Sequence, residues 1–268
     1  MTPRSTKPSG DTIESLTGFS HLQLEAIEAF LLSCTVPLVR EENEKLALLG
    51  MGTFFALKGQ LWLVTASHVE GHQDDLKQLA VPMRSLGKFI SLGNCCLYRP
   101  SNLDLDVALI AIQDADFRRY VSENWRVLDD SNVTRFDPSA SRYIVAGYPR
   151  QMLAEKNMDW LKSFTQIHAG PYLGGAADAS HPVFRLAYSR SAPDSSGAVT
   201  NTPELHGVSG ASVWAVANGV DGIWAAEKVL KVVAMQVSFK HSEYIGAEWW
   251  TLVREVLHRW SAEEASLK

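Results

Sequence analysis

Cysteine is scarce in this chain: three in 268 residues, two of them adjacent as Cys95-Cys96. Three such residues make a poor disulfide framework, so the fold has to rest on its own core, and a reducing, cytoplasmic setting is expected. Charge of one sign is also lacking. Lys and Arg number 25 against 30 Asp and Glu, a net of -5, which removes any general electrostatic reason to expect nucleic acid as a partner. Long apolar runs are missing too. No stretch approaches a membrane span, and Ala29 to Val36 is too short and too far inside the chain for a signal peptide, so no membrane partner is expected. No internal repeat is visible.

What is present is a succession of short strands. Gly52 to Leu57 and Gln60 to Thr65 are β-rich runs around Lys58-Gly59, which reads as a hairpin with a glycine-containing turn. Strands with turn signals between them recur to about Ile112, the rhythm of an all-β protein, and a second set runs from Tyr143 to Ser238. Loops rich in Gly, Ala, Ser and Asp interrupt this second set between Gly170 and His181 and between Ser189 and Gly207. A short helix is predicted over Leu22 to Leu32, with Ser20 as cap and Leu22, Ala26, Ala29 and Phe30 at helical spacing. A second is predicted over Trp249 to Trp260, where Trp249, Leu252, Val253, Val256 and Leu257 form a stripe. Met1 to Gly18 is polar and reads as a loose tail. Phe136 to Ser141, with Pro138, is the expected crossover, and the length suits two lobes around a shared cleft or one large β domain.

Three segments carry chemistry, in the order His, Asp, Ser. His68 ends Thr65-Ala66-Ser67-His68 at the close of a strand. Asp106 opens the apolar run Val107 to Ile112, at the edge of the core, where its carboxylate needs a hydrogen-bond donor. Ser209 lies in Gly207-Val208-Ser209-Gly210, whose glycines allow a tight turn with the backbone N–H groups of Gly207 and Ser209 pointing the same way. A serine hydroxyl is a weak nucleophile until an imidazole takes its proton, and the imidazole needs a carboxylate to hold its tautomer. The set answers each need. Asp104 competes with Asp106, which is preferred because it abuts the strand.

On these residues the chain resembles the trypsin-like (chymotrypsin-fold) serine peptidases, in their disulfide-free bacterial branch. Gly50-Met51-Gly52-Thr53-Phe54-Phe55 is similar to the family's Gly-x-Gly-x-Phe strand, and Thr65-Ala66-Ser67-His68 to its Thr-Ala-Ala-His. Asp106-Val107-Ala108-Leu109 and Gly207-Val208-Ser209-Gly210 match its acid and nucleophile motifs, with Ala211 where a second glycine is usual. Gly147-Tyr148-Pro149 resembles the start of the second barrel, and the likeness spans roughly residues 35 to 245.

The resemblance implies an all-β, two-barrel chymotrypsin-like fold with a short N-terminal helix and a C-terminal helix. A flexible tail would cover 1–20, a helix and the first β-barrel 21–135, and the second β-barrel with the C-terminal helix 136–268. It implies a serine endopeptidase with His68, Asp106 and Ser209 as triad, an oxyanion hole from Gly207 and Ser209, a protein or peptide substrate, and no cofactor or metal. Ser238, Phe239 and Lys240 would bind substrate, Lys240 standing where glycine is usual. Val208 replaces an aspartate that a zymogen's new N-terminus pairs with, so restraint is expected elsewhere: the N-terminal segment, the Asn218 to Glu227 insertion or a regulatory protein partner.

Three rivals are weaker. An α/β-hydrolase places its acid and histidine after the serine. A zinc site on His68 and His72 lacks the His-Glu-x-x-His spacing, since Glu70 is displaced and Gly71 weakens a helix. A catalytically silent protease fold that only binds a peptide or partner is the alternative from outside enzymology.

Overall fold

The computed structural model describes residues 19–42, 45–69, 76–83, 88–100, 105–134, 142–150, 165–169, 172–174, 184–193, 198–217 and 223–266. The expected crossover at Phe136 to Ser141 lies outside them, as does most of the Gly170 to His181 loop. Helix α1 (His21–Cys34) begins at Ser20, whose hydroxyl accepts from the Gln23 N–H while the Gln23 side chain accepts from the Ser20 N–H. This reciprocal cap satisfies two donors that a helix start leaves open. The face it buries shares only Phe30 with the expected stripe, Ala26 being half-buried. Ile27, Phe30, Leu31 and Cys34 point inward, while Leu22 is 76% exposed and Ala29 faces solvent. Burial stabilises by roughly 1.5–3 kcal/mol for a large apolar side chain, so this face, not the cap at about 1 kcal/mol, decides how α1 docks.

The first sheet has the order β5-β4-β1-β2-β3-β7-β6. Its strands are β1 (Val36–Glu42), β2 (Lys45–Leu57), β3 (Gln60–Thr65), β4 (Leu79–Met83), β5 (Lys88–Ser91), β6 (Cys96–Tyr98) and β7 (Ala108–Ile112). The β2–β3 hairpin closes on Lys58 and Gly59 with φ of 50° and 78°, the paired positive values that suit the twist of a two-residue hairpin loop. Helix α2 (Ala115–Asn124), capped by Asp114, follows β7 and buries Phe117, Tyr120 and Val121.

The second sheet has the order β10-β11-β16-β15-β14-β8-β9. It consists of β8 (Tyr143–Gly147), β9 (Thr165–Ala169), β10 (Tyr172–Gly174), β11 (Phe184–Ala187), β14 (Ser212–Val216), β15 (Leu230–Lys240) and β16 (Tyr244–Trp249). Within the expected Ser189 to Gly207 loop, β12 (Ser191–Pro193) and β13 (Val199–Asn201) pair as a separate two-stranded ribbon. All strand pairings described are antiparallel, and the chain is of the all-β class.

Two apolar clusters fill the molecule. The first gathers Phe54, Phe55, Trp62 and the β7 side chains with α1, Trp214 and Trp250; the second gathers Met51, Tyr143, Tyr148, Phe184 and Val208. Phe30 of α1 meets Trp214 edge-on at 5.4 Å, fastening the helix to β14. After β16, α3 (Ala226–Val229) having preceded β15, the chain ends in α4 (Trp250–Ser266). Its buried apolar residues are Trp250, Val253, Val256 and Leu257; Trp249 belongs to β16, and Leu252 is half-buried. Trp250 packs on Phe55 of β2 at 5.7 Å, so α4 reaches the first cluster instead of resting on the second sheet alone. Among the described residues no helix is long and apolar enough to cross a membrane.

No disulfide joins the three cysteines: Cys34 is buried, Cys95 half-buried and Cys96 exposed. Burial, reinforced by the neighbouring Cys96, pushes the Cys95 thiol up to about 11. Millimolar reductant should therefore leave the melting temperature unchanged. Iodoacetamide should modify Cys96 first, Cys95 more slowly for want of thiolate, and Cys34 only on unfolding, as peptide mass mapping will show.

Candidate active site

His68 sits in a single 3₁₀ turn, Ser67–Val69, directly after β3. The Val69 N–H donates to the Ala66 carbonyl at 3.1 Å, and the buried Val69 side chain anchors the turn. Asp106 lies two residues before β7, between the buried Leu105 and Val107. A strand whose residues are all buried fixes the backbone there, and the carboxylate is left at the rim of the core. Asp104, the competing acid, lies outside the described residues.

The imidazole and the carboxylate meet. His68 Nδ1 donates to Asp106 Oδ2 at 2.5 Å, and Oδ1 accepts from the His68 backbone N–H at 3.1 Å and the Ser67 hydroxyl at 2.6 Å. Since a carboxylate only accepts, Nδ1 carries a proton, and in the neutral imidazole Nε2 then keeps its lone pair. The hydrogen bond to Asp106 raises the His68 pKa above its ordinary value, against the lowering effect of burial. For Asp106 burial alone would raise the carboxyl, but the bonds from His68 and Ser67 overcome it and hold the group below the usual carboxylate range. Ser67 was not singled out from sequence, although it stands where the Thr-Ala-Ala-His pattern has alanine.

Ser209 shares a cleft of about 360 Å³ with His68, Gly207 and Phe239. Its turn is defined by Gly207 at φ 88° and Gly210 at φ 90°, left-handed values that favour glycine. Two strands hold it in place. The Met51 N–H of β2 donates to the Ser209 carbonyl at 2.7 Å, and the Gly210 N–H donates to the Gln236 carbonyl of β15 at 2.8 Å. The approach is close enough that a side chain at Gly50 would sit 2.7 Å from the Ser209 oxygen. A side chain at Gly210 would overlap the Met51 carbonyl outright. Thr65 Oγ1 donates to the Met51 carbonyl at 2.6 Å, and the Thr53 and Ser212 hydroxyls meet at 2.8 Å, completing a buried polar seam between the sheets.

The turn's amides divide into two sets. Those of Val208, Gly210 and Ala211 donate to the carbonyls of Leu205, Gln236 and Val208. Those of Gly207 and Ser209 donate to no other group among the described residues. The peptide between His206 and Gly207 is fixed by the Arg150 N–H, which donates to the His206 carbonyl at 2.7 Å. Because a trans peptide sets C=O and N–H in opposite directions, this bond turns the Gly207 N–H away from the Arg150 backbone. Two open amides beside a serine are the donors an oxyanion requires.

Of Ser238, Phe239 and Lys240, only Phe239 lines the cleft. Ser238 is exposed, and the exposed Lys240 pairs with Glu243 at 2.7 Å, a hydrogen bond that raises its pKa. The strand itself has a free edge. β14 pairs with β15 only as far as Met235, whereas β16 pairs with it through Lys240, so one side of Ser238 to Lys240 has no strand partner among the described residues. Arg40, Leu49, Val69, Arg150 and His206, none of them singled out from sequence, line the rest of the cleft. Arg150 follows the quoted Gly147-Tyr148-Pro149, but nothing local marks it as bound for a site 59 residues later in the chain.

Among the described residues no three His, Cys, Asp or Glu side chains converge as a metal site needs, and His72 lies outside them. No protein-family model matches this chain, and no curated protein does. Among solved structures it is similar to one described as "Aromatic interactions drive the coupled folding and binding of the intrinsically disordered Sesbania mosaic virus VPg protein". The TM-score is 0.45 at 14% identity, over 80% of this chain and 85% of that one.

Gly210→Ala tests the seam. Left-handed strain and the overlap with Met51 should together cost on the order of 2–3 kcal/mol, read as a melting temperature lower by several degrees. Gly59→Ala, also at positive φ but with open space around it, should cost about 1 kcal/mol.

Proposed function

We propose that the chain is a serine endopeptidase of the two-barrel chymotrypsin-like fold, its two seven-stranded sheets corresponding to the barrels and its triad being His68, Asp106 and Ser209. The observation that carries this reading is the 2.5 Å bond from His68 Nδ1 to Asp106 Oδ2 in a cleft that His68 shares with Ser209. Ser209 Oγ attacks the scissile carbonyl while His68 Nε2 takes its proton. Asp106 holds the ring and stabilises the imidazolium. The developing oxyanion accepts from the Gly207 and Ser209 N–H groups. His68 then returns the proton to the departing amine, leaving an acyl-enzyme that water hydrolyses by the same steps. The free edge of Ser238 to Lys240 suits substrate backbone added as a strand. Val208 is fully buried in apolar surroundings, which favours a turn built without a zymogen's ion pair.

A fluorophosphonate probe should label wild type once, at Ser209, and leave Ser209→Ala unmodified. Failure of folded wild type to react would overturn the assignment. Cleavage of a peptide library should fall by about 10⁴ or more in Ser209→Ala, His68→Ala and Asp106→Asn, with the losses non-additive because the three act as a unit.

The pH profile has a determined sign. The general base works only as neutral imidazole, so kcat/KM must rise with pH through the His68 pKa, which Asp106 raises. The midpoint of the acid limb should therefore lie above the ordinary imidazole value of about 6.5 and fall in residual activity of Asp106→Asn.

A further inference from the structure

Gln236 interrupts an apolar strand. The four residues before it, Val232 to Met235, are apolar and buried, its partner Ala247 on β16 is buried, and Gln236 itself is fully buried. An amide in such a place must find its hydrogen bonds within the protein. Gln236 finds half of them. Its Nε2 donates to the Ser238 carbonyl at 3.0 Å, while the buried Oε1 accepts from nothing among the described residues. A methionine would fill similar space without an unsatisfied oxygen, so stability does not account for the amide.

The backbone of the same residue serves the serine turn. The Gln236 N–H donates to the Ala211 carbonyl at 2.8 Å, and its carbonyl accepts from the Gly210 N–H at 2.8 Å, fixing the two residues that follow Ser209. Between Gln236 and Ser238 the pairing with β16 slips by one residue, a bulge that interrupts the ladder. On the other side β14 has already ended, and Ser238 to Lys240 has no strand partner there among the described residues. A peptide group placed between a bulge and an open edge is free to tilt unless a side chain holds it. The Gln236 amide holds it, and since a carbonyl oxygen has two lone pairs, one remains for an incoming N–H.

Resting on the peptidase reading above, we propose that Gln236 is a positioning residue that sets the Ser238 carbonyl, as acceptor for the acyl-side backbone of the substrate, in fixed relation to Ser209. The peptide strand and the nucleophile turn are then both referred to one point on β15. A carbonyl ordered beforehand also spares substrate binding an ordering cost.

The test uses the full chain and one well-cleaved library sequence, made with four residues and with one residue on the acyl side. For each enzyme the measure is the ratio of kcat/KM between the long and short peptides, so a general loss of activity cancels. In Gln236→Met this ratio should fall about tenfold, mostly through KM, and Gln236→Leu should behave alike. Melting curves confirm that each variant is folded. A second set of long peptides has an ester oxygen in place of each acyl-side N–H in turn. At one position the ester should cost wild type about tenfold in kcat/KM and the variants about twofold. In wild type the side-chain N–H protons of Gln236 should exchange slowly with deuterated solvent, and exchange as fast as that of a solvated amide overturns the proposal without any variant. Ratios unchanged in the folded variants, or ester costs of equal size in wild type and variants, overturn it while leaving the peptidase reading intact. A folded wild type that neither cleaves the library nor reacts with fluorophosphonate overturns both.

Discussion

The contact on which the rest of the site depends is the bond from the Met51 N–H to the Ser209 carbonyl, made possible by bare backbone on both sides of it. Gly50 has no room for a side chain against the Ser209 oxygen, and Gly210 none against Met51. Without Cβ atoms the two chains approach until their peptide groups bond directly, and the buried hydroxyls of Thr53, Thr65 and Ser212 take up neighbouring polar groups. An unpaired peptide group buried at this seam costs roughly 1–3 kcal/mol, so the hydrogen bonds are as necessary as the space. Everything at the cleft is measured from this joint: the Ser209 turn is pinned by β2 from one sheet and by Gln236 from the other.

A different balance operates at the histidine. Asp106 is partly withdrawn from water, which by itself favours its neutral form, and it stays charged because three donors converge on its two oxygens. Ser67 serves that balance from a position next to the histidine. A carboxylate solvated by hydroxyl and backbone donors holds one orientation where bulk water would let it turn, and the imidazole it grips inherits that orientation.

Much of the site was legible because short-range grammar encodes it. Gly-x-Gly around Met51, the Lys58-Gly59 turn and the apolar run after Asp106 each announce a backbone requirement that few other residues meet. What the sequence obscured depends on neighbours distant in the chain. Of the expected stripe Leu22, Ala26, Ala29 and Phe30, only Phe30 is buried, and it packs on Trp214, a neighbour the helix's own spacing does not reveal. Lys240, expected at the substrate, lies at the surface beside Glu243, a pairing that only the turn between β15 and β16 brings about. Arg150 reaches the cleft through a carbonyl of β2 that lies 102 residues away in sequence. Helix α2 went unread although Asp114 caps it in the ordinary way, because Phe117, Tyr120 and Val121 were too few to stand out from the strands before them.

The histidine and its aspartate both belong to the first sheet, while the serine turn belongs to the second. Neither sheet folded by itself holds all three groups. In the sequence the bonded pair of His68 and Asp106 comes well before Ser209, and the serine turn is held both by β2 and by Gln236 of β15. The three groups therefore come together only where the two sheets join, at the bond from the Met51 N–H to the Ser209 carbonyl.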